Sequence, residues 1–85
     1  MMYDVEWVPA ANEELAAIWM LADDRAAVSR AVYRLDEALG REPLRLGESR
    51  ESSVRRVVSY DMLTIAFEVV EDDKRVHVHG VLRYR

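Results

Sequence analysis

The apolar residues of this chain change period twice, and that change limits the fold more than any other feature. Tyr3, Val5 and Trp7 alternate with Asp4 and Glu6, the period of two expected of a half-buried strand, and Pro9 ends it. From Ala10 the spacing becomes helical. Leu15, Ile18, Trp19 and Ala22 form one stripe, and Val28, Ala31, Val32, Leu35 and Leu39 form a second. Asp23 and Asp24 lie between the stripes, where they stop the first helix and offer an N-cap to the next. Gly40 fits the C′ position of the second helix, and Pro43 confirms the stop. Residues 40–53 have no period and read as a connecting loop.

Alternation then returns. Val54 to Ser59 is followed by a break at Tyr60-Asp61 and by a strand whose apolar face is Leu63, Ile65, Phe67 and Val69. An acidic turn over Glu71-Asp72-Asp73-Lys74 leads to the last strand, Arg75 to Arg85. Strict alternation there puts Val76, Val78, Gly80, Leu82 and Tyr84 on one face and His77, His79, Val81, Arg83 and Arg85 on the other. The expectation is an α+β fold in two layers: a strand, a helix hairpin and a three-stranded antiparallel meander.

At 85 residues the chain has enough apolar surface for one core, since a domain near this size buries a little over roughly 60% of its unfolded surface. A single domain over residues 1–85 is expected. There is no cysteine, which removes disulfides and thiolate metal sites. No apolar run approaches the roughly 20 residues of a membrane span, and Asp4 and Glu6 make the N-terminal segment unlike a signal peptide. No membrane association and a cytoplasmic location are expected.

The net charge of −4 is unevenly placed. Residues 1–40 carry 8 acids and 3 bases, whereas residues 41–85 carry 8 acids and 9 bases. An acidic total disfavours general nucleic-acid binding, which rests on phosphate neutralisation, but leaves room for a local arginine face. Arg55, Arg56, Arg83 and Arg85 sit in the meander strands. Arginine forks suit phosphate oxygens and the charge that develops during RNA cleavage; they also suit edge strands that must stay soluble. His77 and His79 point to one side of their strand, where an imidazole can transfer protons near neutral pH. No carboxylate or third histidine is spaced in sequence to complete a metal site, so neither metal nor cofactor is expected. Tyr3, Trp7 and Trp19 read as core, leaving Tyr84 as the aromatic suited to stacking on a base. A phosphate-binding glycine loop, a nucleophile elbow and a helix-turn-helix pattern are all missing.

Taken in order, Tyr3-Asp4-Val5-Glu6-Trp7 with Pro9-Ala10, Leu35-Asp36-Glu37-Ala38-Leu39 with Pro43, Arg55-Arg56-Val57, Ile65-Ala66-Phe67-Glu68-Val69 and Val76-His77-Val78 running to Arg83 resemble the RelE/ParE superfamily of toxins from type II toxin–antitoxin systems. The resemblance spans essentially the whole chain and implies a two-layer fold with the first strand beside the last. It implies a cognate antitoxin as partner, and one of two activities: ribosome-dependent cleavage of mRNA, or inhibition of DNA gyrase. A member that has lost catalysis and serves as an antitoxin-binding module is the third reading. For the RNase branch the resemblance maps site positions onto Arg55 and onto Arg83 with Tyr84; the candidate site is Arg55, Arg83 and Arg85 for phosphate charge, with Tyr84 or His79 assisting in position or proton transfer. Thr64 stands where that branch has a strand arginine, and Val57 where it has a second basic residue.

Overall fold

The computed structural model describes residues 2–50 and 52–83. Strand β1 (Asp4–Trp7) is followed by helices α1 (Pro9–Leu21) and α2 (Arg25–Arg41), a single 3-10 turn (Pro43–Arg45), and strands β2 (Glu48–Arg50), β3 (Ser52–Tyr60), β4 (Leu63–Val70) and β5 (Arg75–Arg83). The strands form one sheet in the order β1-β5-β4-β3-β2. Strand β1 lies parallel to β5, and the remaining pairs are antiparallel. The helix hairpin covers one face of this sheet, and the other is open. This is the expected α+β order, with one short strand more than the meander expected from the sequence.

Each helix boundary has a local cause. Pro9 occupies the first turn of α1, where its fixed φ suits the helix and its missing N–H is not needed. At the far end Arg25 Nε and Nη2 donate to the Trp19 and Met20 carbonyls at 3.2 and 3.0 Å, satisfying acceptors that the helix itself cannot. Asp24 caps α2 by accepting from the Ala27 amide at 3.0 Å. The stop expected at Gly40 is displaced: α2 runs on to Arg41 and Glu42 is its C-cap. Gly40 is buried because the chain entering β1 packs against it, the Tyr3 amide donating to the Gly40 carbonyl at 2.7 Å.

The segment expected to be a loop is partly ordered into the 3-10 turn and β2, which pairs with β3. The reversal into β2 rests on Gly47, at φ +63°, where a Cβ would stand 1.9 Å from the Val57 carbonyl oxygen. Arg56 fastens the same turn, its Nε donating to the Leu46 carbonyl at 2.7 Å and its Nη2 to that of Gly47 at 3.2 Å.

The core is apolar throughout. Ala11 from α1, Ala31, Leu35 and Leu39 from α2, Leu63, Ile65, Phe67 and Val69 from β4, and Val76, Val78 and Val81 from β5 form one buried cluster. Trp7 and Tyr3 pack against it, as expected, and the Trp7 indole N–H donates to Asp36 at 2.6 Å. Trp19 departs from expectation: it is 39% exposed, lying outside the part of α1 that reaches the sheet.

A second departure matters more. Along β5 the register with β4 slips, so that Val78 faces Phe67 and Gly80 faces Ala66, leaving His79 unpaired in a β-bulge. One extra residue inverts the alternation beyond it. Val81 is therefore buried, at 2% exposure, while Leu82 is 67% exposed. Arg83 is register partner to the buried Leu63 and shares the helix-side face, not the open face expected from strict alternation. The Val81 amide, beyond the reach of β1, donates instead to Glu14 of α1 at 3.0 Å.

Two substitution results check this account. Val81→Asp should lower stability by more than about 3 kcal/mol, whereas Leu82→Asp should stay within about 0.5 kcal/mol of the parent in urea melts. Gly47→Ala should cost more than about 2 kcal/mol, because left-handed strain adds to a backbone overlap that no rotamer relieves.

Candidate functional site

Two surfaces hold the charged and aromatic residues singled out by the sequence, and they lie on opposite sides of the sheet. On the open face a row crosses four strands in register: Arg55 of β3 beside Glu68 of β4, Glu68 beside His77 of β5, and His77 beside Glu6 of β1. His77 Nε2 lies 3.5 Å from a Glu6 oxygen, and His79 Nε2 lies 3.4 Å from a Glu68 oxygen. The two imidazoles meet edge to face with centroids 6.2 Å apart. Farther along, Ser59 and Thr64 share a hydrogen bond of 2.8 Å, and Leu82 is the partner of Thr64. Arg55 and His79 thus belong to one surface. The spacing argument that excluded a third metal-binding residue missed Glu68, because pairing between β4 and β5, and not proximity in sequence, brings it to the histidines.

On the helix side, a cleft of about 520 Å³ opens between the C-terminal half of α2 and β3. Arg34, Arg41, Leu46 and Tyr60 are among its walls. Tyr60 is the register partner of Leu63, which is in turn the partner of Arg83, so Arg83 continues the row that Tyr60 begins. Arg55 and Arg83 project from opposite faces and sit five positions apart along β4, at Glu68 and Leu63. They do not form one site. Tyr84 and Arg85 lie outside the described residues. Arg34 and Arg41 were not candidates from sequence. Tyr60 is an aromatic able to stack on a base, set aside there in favour of Tyr84, and its place at the end of an alternating strand, on the same face as Val58, is the signal in its favour.

A third feature is apolar. Between α1 and α2 a groove of about 530 Å³ is lined by Leu15, Trp19, Val32 and Tyr33, and Met20 and Leu21 are exposed at the end of α1. The guanidinium of Arg25 stacks 4.7 Å from the centre of the Trp19 ring, holding the indole at the rim. Among the described residues no helix is long and apolar enough to cross a membrane.

No protein-family model matches the sequence, and no curated protein matches it. The fold, in contrast, has close counterparts among solved structures. A chain of the toxin–antitoxin complex RelBE2 from Mycobacterium tuberculosis superposes with a TM-score of 0.78 at 20% identity, over 98% of this chain and 99% of that one. A chain of the chromosomal ParDE toxin–antitoxin system of P. aeruginosa gives 0.72 at 15% identity, over 99% and 98%. The isolated E. coli RelE toxin gives 0.69 at 16% identity, over 98% and 85%. The chain has the fold of the RelE/ParE toxins, with the first strand beside the last as the resemblance implied.

A partly exposed polar cluster lies where β1 meets the β4–β5 turn. At the β4–β5 turn the Tyr3 hydroxyl donates to Glu71 at 2.6 Å, Lys74 pairs with the same carboxylate, and the Asp4 amide donates to the Lys74 carbonyl at 2.9 Å. The hydrogen bond from Lys74, and then that from Tyr3, hold the Glu71 pKa below its ordinary value. The bond to Glu71 raises Tyr3 and Lys74 in turn. With the folded value below the unfolded one, the contribution of Glu71 to stability is complete above the unfolded pKa of about 4.3 and is lost as pH falls through the folded value. NMR titration of the Glu71 carboxyl should show this depression in the native chain, and Lys74→Met should raise the value toward that of a solvated glutamate.

Proposed function

We propose that this chain is the toxin of a type II toxin–antitoxin system, inhibiting translation by metal-independent cleavage of mRNA on the ribosome. The observation that carries the reading is the fold, matched from end to end to RelE/ParE toxins. The apolar groove between the helices supports an antitoxin as partner, since a groove lined by Leu15, Trp19, Val32 and Tyr33 suits the apolar face of an amphipathic segment. The cytoplasm, where ribosomes and messages are found, is the matching location.

Within this reading the cleft beside Tyr60 is the better candidate for RNA than the open face. It combines arginine side chains with an aromatic ring, so phosphate and base can be held together. Arg83, two strands from Tyr60 on the same face and outside the cleft walls, is the proposed phosphate-stabilising residue, with Arg41 contributing charge and Tyr60 a stacking surface. Tyr84 and Arg85, which follow Arg83 in sequence, complete the proposed set. Arg55 and His79, on the opposite face, are proposed to lie outside the reacting centre. A second reading, inhibition of DNA gyrase, draws support from the ParDE likeness and from Thr64 at the position where RNase members carry an arginine.

Induction in a bacterial host, with growth and mRNA integrity followed together, tests both readings. The expected result is arrest with cleaved messages, reduced roughly 100-fold in cleavage by Arg83→Ala and left intact by Arg55→Ala at equal soluble expression. Arrest with intact messages would replace the RNase reading by the gyrase one. Normal growth at confirmed soluble expression would overturn both.

A further inference from the structure

We propose that Glu68, His77 and His79 form a zinc-binding site on the open face of the sheet, with Glu6 as a positioning residue for His77. One nitrogen from each imidazole and one Glu68 oxygen all lie within 4.8 Å of one another. Bonds of about 2.0–2.2 Å to zinc place tetrahedral ligand atoms about 3.3–3.6 Å apart. The His79–Glu68 separation of 3.4 Å already has that value. Closing the widest gap takes a movement of at most about 1.4 Å by side chains that are partly exposed and so free to turn.

The bulge is what brings the set together. Residues i and i+2 of a regular strand are about 6.6 Å apart along the backbone, with side chains held parallel by the pleat. Here His79 is the unpaired residue of the bulge, a position that re-aims a side chain, and it turns toward Glu68 on the neighbouring strand. His77 is held by direct pairing beside the same Glu68. Two histidines and one carboxylate on adjacent strands are a borderline donor set, suited to zinc and the late first-row ions more than to magnesium or calcium.

Glu6 supplies the outer contact that such sites use. Its carboxylate lies 3.5 Å from His77 Nε2, so it can accept that N–H, fix the tautomer and leave the other ring nitrogen to the metal. With three protein donors the remaining position falls to water. The site lies across the sheet from the cleft, so its test is independent of the toxin reading.

Zinc titration of the untagged chain by calorimetry, with Co²⁺ absorption as a geometric readout, decides the matter. The expected result is one ion per chain, with tetrahedral cobalt bands, weakened at least tenfold in His77→Ala, His79→Ala and Glu68→Gln. Glu6→Gln should weaken binding by about 10–100-fold while retaining the cobalt bands at saturation. All four variants should melt, without metal, as the parent does. Absence of saturable one-to-one binding, or binding unchanged in the three ligand variants, would overturn the site. Binding unchanged in Glu6→Gln alone would overturn the positioning role.

Discussion

The β-bulge at His79 is the feature on which the rest of this structure depends. A single unpaired residue between Val78 and Gly80 shifts every later side chain of β5 to the opposite face. Val81 thereby joins Ile65 in the core, and Arg83 moves to the helix side. The same residue turns its imidazole toward Glu68. The bulge also falls just past the end of β1, whose register with β5 stops at Val78. The amide freed there is met by Glu14 from α1, so the backbone demand created at the sheet edge is answered by the helix layer.

The helix hairpin is less fully used than the sheet. Helix α2 buries Val28, Ala31, Leu35 and Leu39 along one stripe, the spacing of an ordinary amphipathic helix. In α1 only Ala11 is fully buried, and Leu15 and Ile18 are partly so. Its remaining apolar side chains end in Trp19, Met20 and Leu21 at the surface. Since burial contributes about 25 cal/mol per Å² of apolar surface, this end of the hairpin retains a drive to associate that the chain itself does not satisfy. On the proposed reading, an antitoxin segment would cover that surface.

Most of the architecture was legible in the sequence because periodicity is a local signal. The alternation of Tyr3, Val5 and Trp7, the two helical stripes, the Asp24 cap and the turns at Asp61 and Lys74 are each written within a few residues. What escaped was non-local. Gly40 looked like a helix stop, yet it lies inside α2, where its carbonyl accepts from the Tyr3 amide, far away in sequence. Strand β2 has three residues and exists through its pairing with β3. Gly80 is the one local mark of the bulge; His-Gly-Val-Leu otherwise continues the alternation on paper, and the competing demands of the core for Val81 or Leu82 decide the slip. For the same reason Arg83 was expected on the open face but lies on the helix side, and Glu68 was not joined to the histidines as a ligand set.

Through-space NMR contacts from β5 test this account most directly. The bulged register predicts Val81 methyl contacts to Ile65 and to the apolar side chains of α1, together with His79 ring contacts to Glu68. Leu82 should contact Thr64 on the open face. Leu82 methyls found among the core residues, with Val81 facing Thr64, would contradict it, and with it the division of the sheet into a cleft face and a histidine face.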